Sequence, residues 1–252
     1  RQHPRDLSSL RFFLCGGTTI PPKLFEDCRP FGIRLLSIYG STESSPHSLV
    51  RLNDTREHTE ETDGCAVDGV EIRVVDDARH EVPHGQEGEE ASRGPQVFVG
   101  YWGEPEMTAR ALDADGWYYS GDYCRTDSEG RYIRITGRKK DIIVRGGENI
   151  SSREVEDIVL EYPGVREAAV VAMPDERLGE RSCACVSMRP GAPALHLTDL
   201  VAFFDGRRVA KYKFPEYLVV LDALPRTSSG KLQKFALARM VRERVAAGQP
   251  SD

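Results

Sequence analysis

The chain lacks any apolar run near the ~20 residues that a bilayer-crossing helix needs, so no transmembrane segment is expected. It lacks a basic excess. Its 34 Lys and Arg stand against 40 Asp and Glu, a net charge of -6, which argues against nucleic acid as a partner. It lacks a C-x-x-C pair among Cys15, Cys28, Cys65, Cys124, Cys183 and Cys185. Cys183-x-Cys185 is poor zinc spacing, so all six read as reduced thiols of a cytoplasmic protein. No secretory signal pattern opens the chain, and no internal repeat or long low-complexity linker interrupts it. His80 and His84, in a turn-rich stretch, read as solvated loop residues. What is present is 252 residues, enough for one or two domains with a sizeable core.

The pattern changes twice along the chain. Residues 10–15 read as a buried strand, Gly16-Gly17-Thr18-Thr19 as a turn, residues 21–29 as a helix entered through Pro21 and Pro22, and residues 33–38 as a second strand. That order predicts part of a parallel α/β sheet, with ligands at the strand ends. From about residue 65, alternation over Val70–Val74 and short strands near 96–99, 117–119 and 132–135 predict a small antiparallel β-subdomain, with Asp127-Ser128-Glu129-Gly130 as a hairpin loop. After Gly137, Ser151 and Glu154 read as a helix start, followed by Val155, Ile158, Val159 and Tyr162 on one helix face. Strands at 167–173, 182–188 and 217–221, a helix at 199–209 and a last helix at 235–247, with Leu237, Met240, Val241 and Val245 on one face, complete an α+β unit. The predicted fold class is therefore mixed α/β and α+β. The expected domains are 1–139, split near residue 64 into an α/β piece and the β-subdomain, and 140–252.

Several short motifs carry possible chemistry. In Tyr39-Gly40-Ser41-Thr42-Glu43, Gly40 permits close backbone approach, Thr42 offers a hydroxyl to phosphate, Glu43 offers a hard carboxylate to Mg²⁺, and Tyr39 offers a flat ring to a base. A polar helix cap explains the same residues equally well. Asp122, after Tyr119-Ser120-Gly121, could hold two ribose hydroxyls or occupy a β-turn. Gly137-Arg138-Lys139-Lys140-Asp141 leads through an apolar triplet to Gly146-Gly147-Glu148-Asn149. Pro225-Arg226-Thr227-Ser228-Ser229-Gly230-Lys231 presents one lysine on a flexible turn, which suits charge that reorganises during reaction. It is not a Walker A loop, because Pro225 and Leu232 stand where that loop needs Gly and Ser or Thr. Each motif alone also reads as a solvated turn.

Taken together and in this order, the motifs resemble the adenylate-forming superfamily of acyl-CoA synthetases, peptide-synthetase adenylation domains and firefly-type luciferases. Ser41–His47, Gly88–Pro95 and Ser151–Asp157 are similar to bacterial short-to-medium-chain fatty acyl-CoA synthetases. The resemblance implies a reaction that uses ATP, Mg²⁺ and coenzyme A on a short-to-medium-chain carboxylic acid. A carboxylate first attacks the ATP α-phosphate, and the thiol of coenzyme A then displaces AMP. It implies that Gly16, Gly17 and Thr18 line the adenine site with Tyr39 on the base, that Gly40 and Thr42 lie at phosphate, and that Glu43 holds the metal. It implies that Asp122 and Arg138 grip ribose, that Lys231 is catalytic in the first step, that Lys140 is a hinge for a mobile C-terminal domain, and that Gly146 and Gly147 admit the pantetheine arm.

Thr18-Thr19 departs from the Ala-Pro usual in that family. The Ser/Thr/Gly-rich phosphate loop of the family is not found in these residues, and the chain opens Arg1-Gln2-His3. The expectation is a fragment that is inactive or impaired by itself. An adenylation domain loading a carrier protein and a non-catalytic nucleotide- or CoA-binding module are the alternatives.

Overall fold

The computed structural model describes residues 6–17, 19–228 and 230–246, without the side chains of Val245 and Ala246. Thr18, Ser229 and the expected helix end at Ala247 lie outside the described residues. The chain divides into two compact units, Arg1–Thr136 and Gly137–Asp252.

In the first unit, β1 (Phe12–Gly16) leads through α1 (Pro22–Cys28) to β2 (Arg34–Tyr39). Pro22 suits a first helical turn because its missing N–H would have no partner there. Phe25 of α1 packs on Ile20 and Leu35, which returns the chain so that β2 runs parallel to β1, with Gly16 opposite Ile38. The short β3 (Ser48–Leu49), α2 (Arg56–Glu61) and β4 (Cys65–Ala66) follow. The sheet order is β1-β2-β3-β4, and the last two pairings are antiparallel. One expectation changes here. β1 is not a buried strand, since Phe13 and Leu14 are exposed at 56% and 48%. Among the described residues it has a single neighbour in the sheet, β2.

The second sheet has the order β5 (Glu71–Val75), β6 (Gly88–Arg93), β7 (Tyr118–Thr126), β8 (Ile133–Arg138), with α3 (Pro105–Ala111) between β6 and β7 in the chain. β5–β6 and β6–β7 are antiparallel. The loop after β7 closes where Asp127 N–H meets Tyr132 O at 2.9 Å. Val75, Ala91, Trp117 and Tyr119 form its core. The strand expected near 96–99 is absent. Val97 makes only an isolated bridge to Ser44, and Phe98 N–H is given to Glu43 O at 2.7 Å, so this segment serves the Tyr39–Glu43 loop instead of a ladder.

In the second unit, β9 (Ile142–Arg145) and β10 (Glu148–Ser151) form a hairpin. They are followed by α4 (Ser152–Leu160), β11 (Val165–Asp175), β12 (Gly179–Met188), α5 (Leu197–Asp205), β13 (Tyr217–Val220) and α6 (Lys234–Ala246). The sheet runs β10-β9-β12-β11, with β13 parallel to β12. Because strand side chains alternate between faces, Val170, Ala184 and Val186 pack with Val155, Val159, Leu200 and Phe204. Their neighbours Ala169, Val171, Cys183 and Cys185 pack with Leu237 and Val241. Cys183-x-Cys185 is thus one face of a buried strand, and all six cysteines are free.

Ser151 caps α4 by accepting Glu154 N–H at 3.3 Å. The Glu154 carboxylate does not complete the reciprocal box; it takes Lys213 Nζ at 2.6 Å. α5 begins and ends earlier than expected. Asp199 accepts His196 N–H at 3.1 Å, and Arg208 has a φ of 57°, a conformation that no helix interior tolerates.

Candidate functional site

At the end of β2 the chain makes a tight loop. His47 N–H donates to Tyr39 O at 2.9 Å, Ser41 N–H donates to Ser44 O at 2.8 Å, and Ser44 N–H donates to Ser41 Oγ at 3.2 Å. A Cβ on Gly40 would lie 3.2 Å from Ser44 O and 3.3 Å from the Cα atoms of Ser45 and Pro46, so the space beside Gly40 is taken by its own loop. A Cβ on Gly16 would lie 2.9 Å from Ile38, which keeps Gly16 and Gly17 close beside the root of this loop. Thr42 is exposed at its tip.

Glu43 is held by hydroxyls. Tyr101 OH donates to Glu43 Oε1 at 2.9 Å. Burial opposes ionisation, but hydrogen bonds from Tyr101, its own backbone N–H, Ser41 and Tyr118 outweigh it and hold the carboxyl below the usual range. Burial and this bond push the Tyr101 phenol up.

The structure joins two motifs that are far apart in the sequence. Tyr39 OH donates to Asp122 Oδ2 at 2.9 Å and reaches Glu90 Oε2 at 3.4 Å. Gly121, at φ 71°, turns β7 here and donates its N–H to Glu89 Oε1 at 3.0 Å. Burial raises the Tyr39 phenol far above its ordinary value, and the charges of Glu90 and Asp122 add to this. The hydroxyl is therefore a donor at neutral pH.

Beneath lies a pair that was not singled out from the sequence. His47 Nδ1 is 2.9 Å from Glu90 Oε1, and both side chains are fully buried. The His47 ring meets Tyr39 edge-on at 4.9 Å. Glu90 sits on β6, whose charged run Glu89-Glu90 hid the strand, because acidic residues are depleted in strands. The signal available was Glu90 itself, between small residues in Gly88-Glu-Glu-Ala-Ser.

The remaining candidates belong to the second unit. Arg138 ends β8 and is exposed, and Lys140 lies in the single 3-10 turn Lys139–Asp141. Gly146 and Gly147 form the two-residue turn of the β9–β10 hairpin, with Arg145 opposite Glu148. Their φ values of 61° and 92° are those a primed turn requires. Nothing lies within 4 Å of where a Gly147 Cβ would be. Lys231 is exposed on a turn closed by Thr227 N–H to Lys231 O at 2.8 Å and Lys231 N–H to Thr227 Oγ1 at 3.1 Å.

Among the described residues, no group of three or more His, Cys, Asp or Glu could hold a metal ion. Glu43 alone still fits a Mg²⁺ that takes one or two carboxylates and completes its shell with phosphate and water. Among the described residues, no helix is long and apolar enough to cross a membrane.

Two family models match, described as AMP-binding enzyme over residues 1–102 and AMP-binding enzyme C-terminal domain over residues 154–231. The chain is 64% identical to the medium-chain fatty-acid–CoA ligase of Escherichia coli over 97% of its own length and 43% of that protein. It therefore spans less than half of that curated relative. Among solved structures, ATP-bound MatB from Rhodopseudomonas palustris aligns at a TM-score of 0.86 and 32% identity, covering 92% of this chain and 46% of that one. The o-succinylbenzoate CoA synthetase of Bacillus subtilis, in complex with its acyl-adenylate intermediate, aligns at 0.81 and 30%, covering 92% and 47%. With one family model covering the Tyr39 loop and the other the Lys231 turn, the chain belongs to the AMP-binding, adenylate-forming family of enzymes.

Proposed function

We propose that this chain supplies the C-terminal part of an ATP-dependent fatty acid–CoA ligase, an acid–thiol ligase of the cytoplasm that acts on short-to-medium-chain carboxylic acids. The observation that carries this reading is the joining of Tyr39 to Asp122 in a chain of this family. It places an aromatic ring and a carboxylate together, as a nucleoside needs. The acid class rests on the likeness to the E. coli ligase.

In the first step a carboxylate oxygen of the acid attacks the α-phosphorus of ATP, and the bond to pyrophosphate breaks. Lys231 brings its ammonium to the acid carboxylate and the α-phosphate, where negative charge reorganises. Tyr39, with Gly16, Gly17 and Thr18, faces adenine; Asp122 and Arg138 hold ribose; and Gly40 and Thr42 lie at phosphate. Glu43, kept ionised by its hydroxyl donors, holds Mg²⁺, which supplies charge neutralisation at the phosphates. In the second step the thiol sulfur of coenzyme A attacks the acyl carbonyl carbon, AMP leaves, and the thiol proton is released. Gly146 and Gly147 leave room for the pantetheine arm, and Lys140 is the hinge that lets this hairpin replace the Lys231 turn.

The test joins this chain to the N-terminal part of the E. coli relative and follows pyrophosphate release with ATP, Mg²⁺ and fatty acids from butyrate to dodecanoate, and acyl-CoA formation once coenzyme A is added. Acid-dependent release followed by thioester formation is expected. A folded chimera that binds AMP yet releases no pyrophosphate with any acid would falsify the proposal.

A further inference from the structure

Lys234 opens α6, where a cation works against the helix dipole. Its partners explain its place. Lys234 Nζ lies 2.7 Å from Glu156 Oε1 and 3.6 Å from Asp141 Oδ2, and it donates to Ser152 Oγ at 2.9 Å. Glu156 and Ser152 take two of the three ammonium hydrogens, and Asp141 adds an ion pair at longer range. Glu156 is buried, at 5% exposure, and the same Oε1 accepts Val170 N–H at 2.7 Å. One cation therefore gathers the Lys139–Asp141 turn, the first residue of α4, strand β11 and the start of α6.

The turn bearing Lys231 runs directly into this anchor. Its other leg is held at the surface, where Arg226 pairs with Glu167 of β11 and donates to Gly230 O at 2.7 Å. Of the two fastenings, the one at Lys234 has the buried carboxylate, so salt and water screen it less.

We propose that Lys234 is a positioning residue whose ammonium, seated on Glu156, Ser152 and Asp141, fixes the Lys231 turn against α4 and the Lys139–Asp141 turn. Ser152 directly follows β10 of the glycine hairpin, so the same anchor sets the spacing between that hairpin and Lys231. The catalytic consequence rests on the reading of Lys231 given above; the anchoring does not.

Lys234→Met leaves a buried carboxylate without its cation, a costly state that can unfold the unit. The deciding variant is therefore Lys234→Met with Glu156→Gln, in which the Gln carbonyl still accepts Val170 N–H. In the 252-residue chain, amide hydrogen exchange at Thr227 and Lys231 is expected to quicken about tenfold, as loss of a charge-assisted bond implies, while the β11 and β12 amides keep their protection. In the chimera, the kcat of adenylation is expected to fall by at least about tenfold, with the KM for ATP and thioester formation from supplied acyl-adenylate retained. Unchanged exchange at Thr227 and Lys231 in the folded double variant overturns the anchoring. Quickened exchange with equal loss of both half-reactions leaves the anchoring in place and overturns the assignment of Lys231 to the first step.

Discussion

Removing the Tyr39 hydroxyl tests the link between the β2 loop and β7 without disturbing the ring. The hydroxyl gives its hydrogen to Asp122 Oδ2 at 2.9 Å, with Glu90 Oε2 at 3.4 Å. A hydrogen bond to a charged acceptor contributes about 1.5–3 kcal/mol, so Tyr39→Phe is expected to destabilise the first unit by about 2 kcal/mol. At roughly 2–4 °C per kcal/mol for a chain of this size, the melting midpoint should drop by about 4–8 °C. The pH dependence has a definite sign. The folded-state phenol lies far above its ordinary value, so its contribution is fully present below the unfolded pKa of about 10 and is lost as the pH rises above it. Above that pH the wild-type stability should fall more steeply than the variant's, by up to about 1.4 kcal/mol per pH unit for this one proton. Calorimetry at neutral pH and urea melts in the alkaline range measure both effects. A variant that melts with the wild type at neutral pH, or parallels it in alkali, refutes the reasoning.

Gly64→Ala should be far worse than Gly85→Ala. Both have φ above 80°, but a Gly64 Cβ would lie 2.1 Å from Leu49 C whereas a Gly85 Cβ meets nothing. Urea melts should show about 1–2 kcal/mol for Gly85→Ala and about 3 kcal/mol or loss of folding for Gly64→Ala; equal costs would remove the close packing of Gly64 as the cause. In the chimera, Lys231→Ala should cut adenylation by at least about a hundredfold and spare thioester formation. Gly147→Leu should do the reverse, and equal loss of both half-reactions in either variant contradicts the role given to it. Glu43→Gln should raise the Mg²⁺ concentration needed for half-maximal pyrophosphate release by about tenfold, and an unchanged Mg²⁺ dependence would remove Glu43 from the metal.

The parts of the fold readable in the sequence are those encoded over a few residues. The alternation through β11 and β12 shows which side chains share a face, and it accounts for Cys183 and Cys185 as core. Ser151 with Glu154 marks the start of α4, and Gly146-Gly147 marks a primed turn. The parts that escaped depend on distant partners. β1 looks like a buried strand, yet among the described residues it pairs with β2 alone and leaves Phe13 and Leu14 exposed. Residues 96–99 look like a strand, yet Phe98 gives its N–H to Glu43. β6 carries Glu89 and Glu90, a residue type depleted in strands, yet Glu90 is fully buried beside His47. The candidate site shows the same division. Tyr39 and Asp122 were each visible as motifs, but their contact bridges 83 positions, and no local pattern announces it.

Two glutamates contrast a carboxylate proposed for a metal with a carboxylate held by architecture. Both suffer desolvation. At Glu156 it prevails and the carboxyl is pushed up, even with Lys234 beside it and Val170 N–H bonded to it. At Glu43 the opposing bonds prevail and the carboxyl is pulled down, yet those bonds come from the neutral donors Tyr101, Ser41, Tyr118 and its own backbone N–H. A neutral donor lowers a carboxyl's pKa without cancelling its charge, so Glu43 remains a net negative site available to a cation from solution. Lys234 does the opposite for Glu156: it satisfies the charge internally and spends it on holding α4, β11 and α6 together. Perturbed carboxyls mark functional sites only in a probabilistic sense, because structural ion pairs perturb them too. In this chain the nature of the partner separates the cases, with hydroxyl-held Glu43 at the loop proposed to meet the ligand and ammonium-held Glu156 behind the turn that carries Lys231.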